Sequence, residues 1–194
     1  MGNFKAEMFN KKAAGPKSKP GKVLTAIAIK KGQKIADIGT GGGYFSLRFA
    51  EIVGEKGRVY AVDTNKDFLE FVESQAKEKA LNNVITVQAQ NLKSSLPEKG
   101  LDLIFLRNVS HHLENRTDYF KSLKPFLKDS GQITVIEYKK GKPWTFRGIC
   151  GHHVPKETIM REMNEAGYAL EKEFDFLPEQ HFTIYSKKQK GQKT

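Results

Sequence analysis

Lys34-Ile35-Ala36-Asp37-Ile38-Gly39-Thr40-Gly41-Gly42-Gly43-Tyr44-Phe45 is the stretch that decides the fold. Its first five residues suit a strand. Its middle is almost all glycine. Beyond it Phe45, Phe49, Ile52 and Val53 fall on one face at helical spacing. A glycine-rich turn between a strand and a helix lets a ligand approach the backbone closely. It also aims the helix N–H groups at anything anionic.

Three kinds of loop compete for such a segment. The dinucleotide fingerprint G-x-G-x-x-G fails at its third glycine, which would be Tyr44 counting from Gly39 or Ser46 counting from Gly41. The P-loop G-x-x-x-x-G-K-[ST] also fails. Its nearest approach, Gly15 to Gly21-Lys22-Val23, has one residue too many, no hydroxyl after the lysine and no strand before it. What fits is D-x-G-x-G-x-G, on Asp37, Gly39, Gly41 and Gly43. The next apolar run, Val59-Tyr60-Ala61-Val62, ends in Asp63. An acid at that strand end can accept two hydrogen bonds from a ribose diol.

Outward from this unit, strand and helix patterns alternate. Strands are expected at Lys34–Ile38, Arg58–Val62, Val84–Val87, Leu101–Leu106 and Gln132–Tyr138, and helices at Val23–Ile29, Tyr44–Val53, Lys66–Ala80 and Asn115–Leu127. A further helix is expected between Pro155, suited to a first turn, and Gly167, suited to a C-terminal cap. Leu170–Leu177 and Phe182–Ser186 are strands joined by a turn too short for a parallel crossover, so they form an antiparallel hairpin. The expected architecture is α/β: a doubly wound, mostly parallel sheet with helices on both faces and an antiparallel C-terminal hairpin at its edge.

The chain has 194 residues, enough for one domain with a full core. No run of 18 apolar residues suits a membrane span. The first 20 residues lack the apolar centre of a secretory signal. The one cysteine, Cys150, excludes an intrachain disulfide and fits a reducing cytoplasm. The formal charge is +11, but residues 1–22 carry +5 and residues 187–194 carry +4, which leaves +2 between them. Residues 1–21 are expected to be a basic, poorly ordered lead-in, with one short helix around Phe4–Phe9. Residues 22–188 are the folded domain and residues 189–194 a basic tail. The charged ends act either as solubilising tails or as contacts for RNA or another polyanion, such as an acidic membrane surface.

The glycine loop, the acid 24 residues past Gly39 and the strand order together resemble the class I S-adenosylmethionine-dependent methyltransferases. LDLIFLRNVSHHL (residues 101–113) resembles the fourth-strand motif of small-molecule members related to the quinone C-methyltransferases. PEQHFTIYSK (residues 178–187) resembles their closing strand. The resemblance implies a Rossmann-like sheet, S-adenosyl-L-methionine as cofactor and a methylation reaction. By position, Gly39, Thr40, Gly41 and Gly43 would approach the methionine and ribose through backbone. Asp37 would orient the amino acid end, and Asp63 and Thr64 the ribose side. Gln90 or Asn91 would stand where the family often has an acid for the adenine amino group. Leu106 and Arg107 would flank the sulfonium. The family's N-terminal segment often folds over the acceptor pocket, which makes Phe4, Met8 and Phe9 candidate lid residues.

His111 and His112 follow the fourth strand and are candidates for a general base or acceptor-binding role; the plainer alternative is local packing. His152 and His153, with Cys150, follow the fifth strand and could converge on the same place. No metal is expected, because adjacent histidines rarely ligate one ion. After the fourth strand the chain reads Arg107-Asn108-Val109-Ser110, not the Asn/Asp-Pro-Pro-aromatic run of nucleic-acid amine methyltransferases. A small-molecule acceptor is expected, with Tyr44, Trp144 and Phe146 as pocket walls and residues 141–153 long enough for a lid. An RNA or protein methyltransferase recruited by its basic ends, and a non-catalytic cofactor-binding module, are the alternatives.

Overall fold

The computed structural model describes residues 2–90, 96–141 and 153–189. The first strand, β1 (Lys34–Ile38), has an entirely buried second half and runs parallel to β2 (Arg58–Asp63) and β4 (Leu101–Arg107). β3 (Val84–Gln88) flanks β2, and β5 (Leu127–Tyr138) flanks β4, both in parallel register. β6 (Tyr168–Phe174) and β7 (Gln180–Lys187) are antiparallel to each other, and β7 is antiparallel to β5. The sheet order is β3-β2-β1-β4-β5-β7-β6. The chain therefore switches direction between β1 and β4, and a crevice opens there at the carboxyl ends of the strands. The last strand inserts beside β5 and leaves β6 at the edge. β7 carries the more apolar inner run, while β6 is mostly exposed along its middle.

Helices cover both faces. Strand alternation sends Ile35, Val59, Leu103 and Phe105 into one apolar cluster with Val23 and Ile27 of α2 (Pro20–Ile27) and Phe45, Phe49 and Val53 of α3 (Tyr44–Val53). Ala36, Ile38, Tyr60, Ile104 and Leu106 face the other way. They pack with Phe120 and Leu123 of α5 (Arg116–Leu123) and with Ile159 and Met163 of α6 (Lys156–Glu165). α4 (Lys66–Glu78) lies against β2 and β3. Its first turn is capped by Asn65, whose Oδ1 accepts from the Asp67 and Phe68 N–H groups.

Several element ends differ from those expected: β6 ends at Phe174, not Leu177, β5 begins at Leu127, not Gln132, and α2 spans Pro20–Ile27, not Val23–Ile29. Two further differences have a clear physical reason. The fifth helix stops at Leu123, not Leu127. Pro125 has no N–H to continue the ladder, so the chain makes one 3-10 turn and enters β5 at Leu127. Residues 1–21 are not a loose lead-in with one short helix. Gly2–Ala14 is a 13-residue helix, α1, packed against α3 and α4, with Ala6 and Ala13 buried. The sequence hides this because the buried side is made of small residues. Phe4, the large apolar residue near its start, is 74% exposed. No helix among the described residues is long and apolar enough to cross a membrane.

Candidate active site

The glycine loop leaves β1 by hanging two N–H groups, those of Gly39 and Thr40, on the Val62 carbonyl of β2. Gly39, Gly41 and Gly43 all have positive φ, the region that glycine enters without steric cost. The loop's outer side is crowded. A Cβ on Gly39 would strike Val109, and one on Gly43 would strike Val72 of α4. A Cβ on Gly42 would overlap the Ala6 carbonyl and Asn10. Asn10 of α1 donates from Nδ2 to the Gly42 carbonyl (2.7 Å) and accepts at Oδ1 from the Tyr44 N–H (3.1 Å). The N-terminal helix is thus fastened to the glycine loop itself, and Gly42, absent from the sequence expectation, is the residue that permits the contact.

A cavity of about 800 Å³ opens at this loop. Asp37, Gly39, Thr40, Gly41, Asp63 and Thr64 line one part of it. Asp63 is buried. Its Oδ2 accepts from the Gly41 N–H (2.9 Å) and its Oδ1 from the Asn65 N–H (3.0 Å). A carboxylate has about four acceptor positions, so two remain for a ribose diol. Asp37 accepts from the Ser46 hydroxyl (2.6 Å) and the Thr40 hydroxyl (3.2 Å). Burial pushes its carboxyl up to about 6, against the pull of those two hydrogen bonds. A neighbouring ammonium would favour its ionised form. A glycine backbone open to the cavity and two acids with unused acceptor positions suit a nucleoside bearing an amino acid end. S-adenosylmethionine fits that description.

The other part of the cavity lies over β4 and β5. Arg107, Asn108, Val109, His111, His112 and Tyr138 line it. A 3-10 turn at Ser110–His112 brings the two imidazoles within 4.1 Å, centroid to centroid. His111 Nδ1 lies 3.0 Å from Oε1 of Glu137, a fully buried residue of β5. Glu137 also accepts from the His111 and Tyr138 backbone N–H groups, which fix its position. Arg107 donates to the Ser18 hydroxyl (2.9 Å) and lies over the Phe45 ring at 5.3 Å. Burial lowers its pKa, while Tyr138, Asp37 and Glu137 oppose that shift. Asn108, held in a left-handed conformation, accepts from the Gln180 side chain (2.6 Å).

The structure separates the expected residues. Asp37, Gly39, Thr40, Gly41, Asp63, Thr64, Arg107, His111 and His112 share the cavity, with Tyr44 as a wall. Leu106 does not line it. The strand alternates, so Phe105 and Arg107 face the cavity while Leu106 is buried in the opposite cluster. Gly43 serves the packing of α3 on α4, and Gln90 is exposed outside the cavity lining. His153 also lies outside the lining. Asn91, Trp144, Phe146, Cys150 and His152 lie outside the described residues. Phe9, expected as a lid residue, lines the cavity, while Phe4 and Met8 do not. Missed in the sequence were Asn10 and Lys12 of α1, Phe68 of α4, and Glu137 behind His111. Of these, only Glu137 left a signal: a charge inside the apolar run Ile133–Tyr138.

The comparisons with known proteins agree with this geometry. A methyltransferase domain profile matches residues 29–182. The ubiquinone/menaquinone biosynthesis C-methyltransferase UbiE of Haemophilus ducreyi is 34% identical over 121 residues, which are 60% of this chain and 46% of that protein. The chain spans about half the length of the curated relatives it matches. A SAM-dependent methyltransferase from Aquifex aeolicus superposes with a TM-score of 0.80 at 23% identity, over 92% of this chain and 96% of the other. The [4+2]-cyclase SpnF superposes at 0.73 and 13% identity, covering 88% and 82%. With the motif and the cavity in the same place, the chain belongs to the methyltransferase domain family, in the class I fold that uses S-adenosyl-L-methionine.

Proposed function

We propose that the chain transfers a methyl group from S-adenosylmethionine to a small-molecule acceptor seated over β4 and β5, with His111 as the general base. The observation that carries this reading is one continuous cavity lined by both the acidic glycine-loop rim and His111, whose Nδ1 is backed by the buried Glu137. The quinone-methylating relatives favour a small acceptor. The cofactor supplies an already electrophilic methyl group, so the protein's work is placement and proton handling.

Asp63 would hold the ribose hydroxyls and Asp37 the amino acid end. His111 would take the acceptor proton at Nε2, with Nδ1 directed at Glu137. A buried carboxylate on Nδ1 fixes the ring tautomer and stabilises the imidazolium that forms. Tyr44 and Tyr138 would wall the acceptor. α1 would close the cavity beside Phe9 and Lys12, a reading supported by Asn10 on the glycine loop. SpnF shows that this fold carries other chemistry, so turnover is the decisive measurement. The test follows labelled methyl from S-adenosylmethionine into a panel of phenols, quinols and amines. Transfer that needs His111 supports the reading. Tight cofactor binding with no transfer to any acceptor would favour a binding module.

A further inference from the structure

The cavity's β4–β5 end holds an arginine whose charge no acid balances directly. Arg107 makes one hydrogen bond, to the neutral Ser18 hydroxyl, and rests on the apolar face of Phe45. Among the described residues it makes no ion pair. A guanidinium has five N–H donors, and among the described residues Arg107 uses one of them, to Ser18. The neighbouring acids, Asp37 and Glu137, take their hydrogen bonds from other groups. Asp37 is held by Ser46 and Thr40, and Glu137 by His111 and two backbone N–H groups. Lys12 lines the same cavity from α1, its ammonium 5.0 Å from the Tyr138 ring centre. Asp37 and Glu137 act on the guanidinium only through space, whereas a planar anion that meets it directly gains two parallel charge-assisted hydrogen bonds. The cofactor's sulfonium would add a further positive charge to the site.

We propose that Arg107 and Lys12 form an anion subsite for the acceptor, which carries a carboxylate or a comparable planar anionic group. The subsite rests on the methyltransferase reading above. It sits over β4 and β5, on the His111 side of the cavity, where a bound anion would orient the acceptor's reacting atom toward the imidazole. Phe45, beneath Arg107, and Tyr138, beneath Lys12, supply apolar surface that an aromatic acid would use.

The same chemistry has a second source, the cofactor's own carboxylate, and the experiment separates the two. The full chain is titrated with S-adenosylhomocysteine and with 5′-methylthioadenosine, which lacks the amino acid end. The S-adenosylhomocysteine-loaded chain is then titrated with benzoate and with its neutral isostere benzamide. Wild type is expected to prefer benzoate by at least about tenfold. Arg107→Met is expected to erase that preference while both nucleosides bind within about twofold of wild type, and Lys12→Gln to weaken it severalfold. If Arg107→Met does not fold, Arg107→Lys replaces it. Arg107→Lys keeps the charge but loses the bidentate fork, and should retain only part of the preference. Equal binding of benzoate and benzamide to wild type overturns the proposal. So does an Arg107 variant that loses S-adenosylhomocysteine affinity but keeps that for 5′-methylthioadenosine, because the arginine then serves the cofactor. Absence of S-adenosylhomocysteine binding to wild type would instead sink the methyltransferase reading beneath it.

Discussion

The two ends of the cavity are built by opposite means. The end over β1 and β2 is local: Asp37 through Gly43 are consecutive, and Asp63 closes the next strand. It is acidic, and its donors and acceptors are mostly backbone or short side chains. The end over β4 and β5 is assembled from afar. Asn10, Lys12, Arg107, His111 and Glu137 come from three separate stretches of chain, and its free charge is positive. A motif can hold a cofactor because the cofactor never changes. The proposed acceptor end is built from long side chains on elements that tertiary packing brings together, a means by which one fold can host many acceptors.

The sharpest way to break this division is His111→Ala. It is expected to lower kcat by about 10²–10⁴-fold, the usual worth of a positioned general base. The dissociation constant of S-adenosylhomocysteine should stay within about twofold in the same protein. Equal losses in both quantities would mean that His111 belongs to the cofactor end. Glu137→Gln should lower kcat less, with a shifted pH–rate profile, because it acts through the imidazole.

Asp37 offers a test of the acidic end by stability. Its carboxyl titrates at about 6 in the folded chain against 3.8 in the reference state. The raised value means that the contribution is full below pH 3.8 and is lost as pH rises through 6. In the absence of cofactor, the shift corresponds to about 3 kcal/mol over that window. Asp37→Asn should abolish this part of the pH dependence in denaturant melts from pH 4 to 7. A variant curve parallel to wild type would show that Asp37 is not held protonated.

Asp63→Ala should weaken S-adenosylhomocysteine by about 1.5–3 kcal/mol, the worth of charge-assisted hydrogen bonds. Calorimetry with unchanged affinity would remove Asp63 from the cofactor's contacts. The smallest effect is expected at the seam between the two ends. Asn10→Ala removes both hydrogen bonds that fasten α1 to the loop and should cost about 1–2 kcal/mol of stability. Removing residues 1–19 should cost more, because Ala6, Ala13 and Ser18 are buried. A truncated chain as stable as the full one, with unchanged cofactor affinity, would return α1 to the status of a dispensable tail.

The sequence alone determined the parallel sheet, the antiparallel hairpin at its C-terminal edge, and the glycine loop after its first strand. All three follow from periodicities and glycine spacings that span a few residues, where a local pattern forces a local conformation. It also placed His111 and His112 at the end of β4, because the apolar run stops there. Tertiary structure decided the rest. That α1 packs at all depends on alanines fitting a groove left by α3 and α4, and small residues carry no periodic signal. That Arg107 and not Leu106 faces the cavity depends on strand register, which a one-residue slip would reverse. That Glu137 meets His111 depends on β5 lying beside β4, a contact across 26 residues. Such long-range pairings are set by how the faces of the sheet are covered, and no short window of sequence contains them.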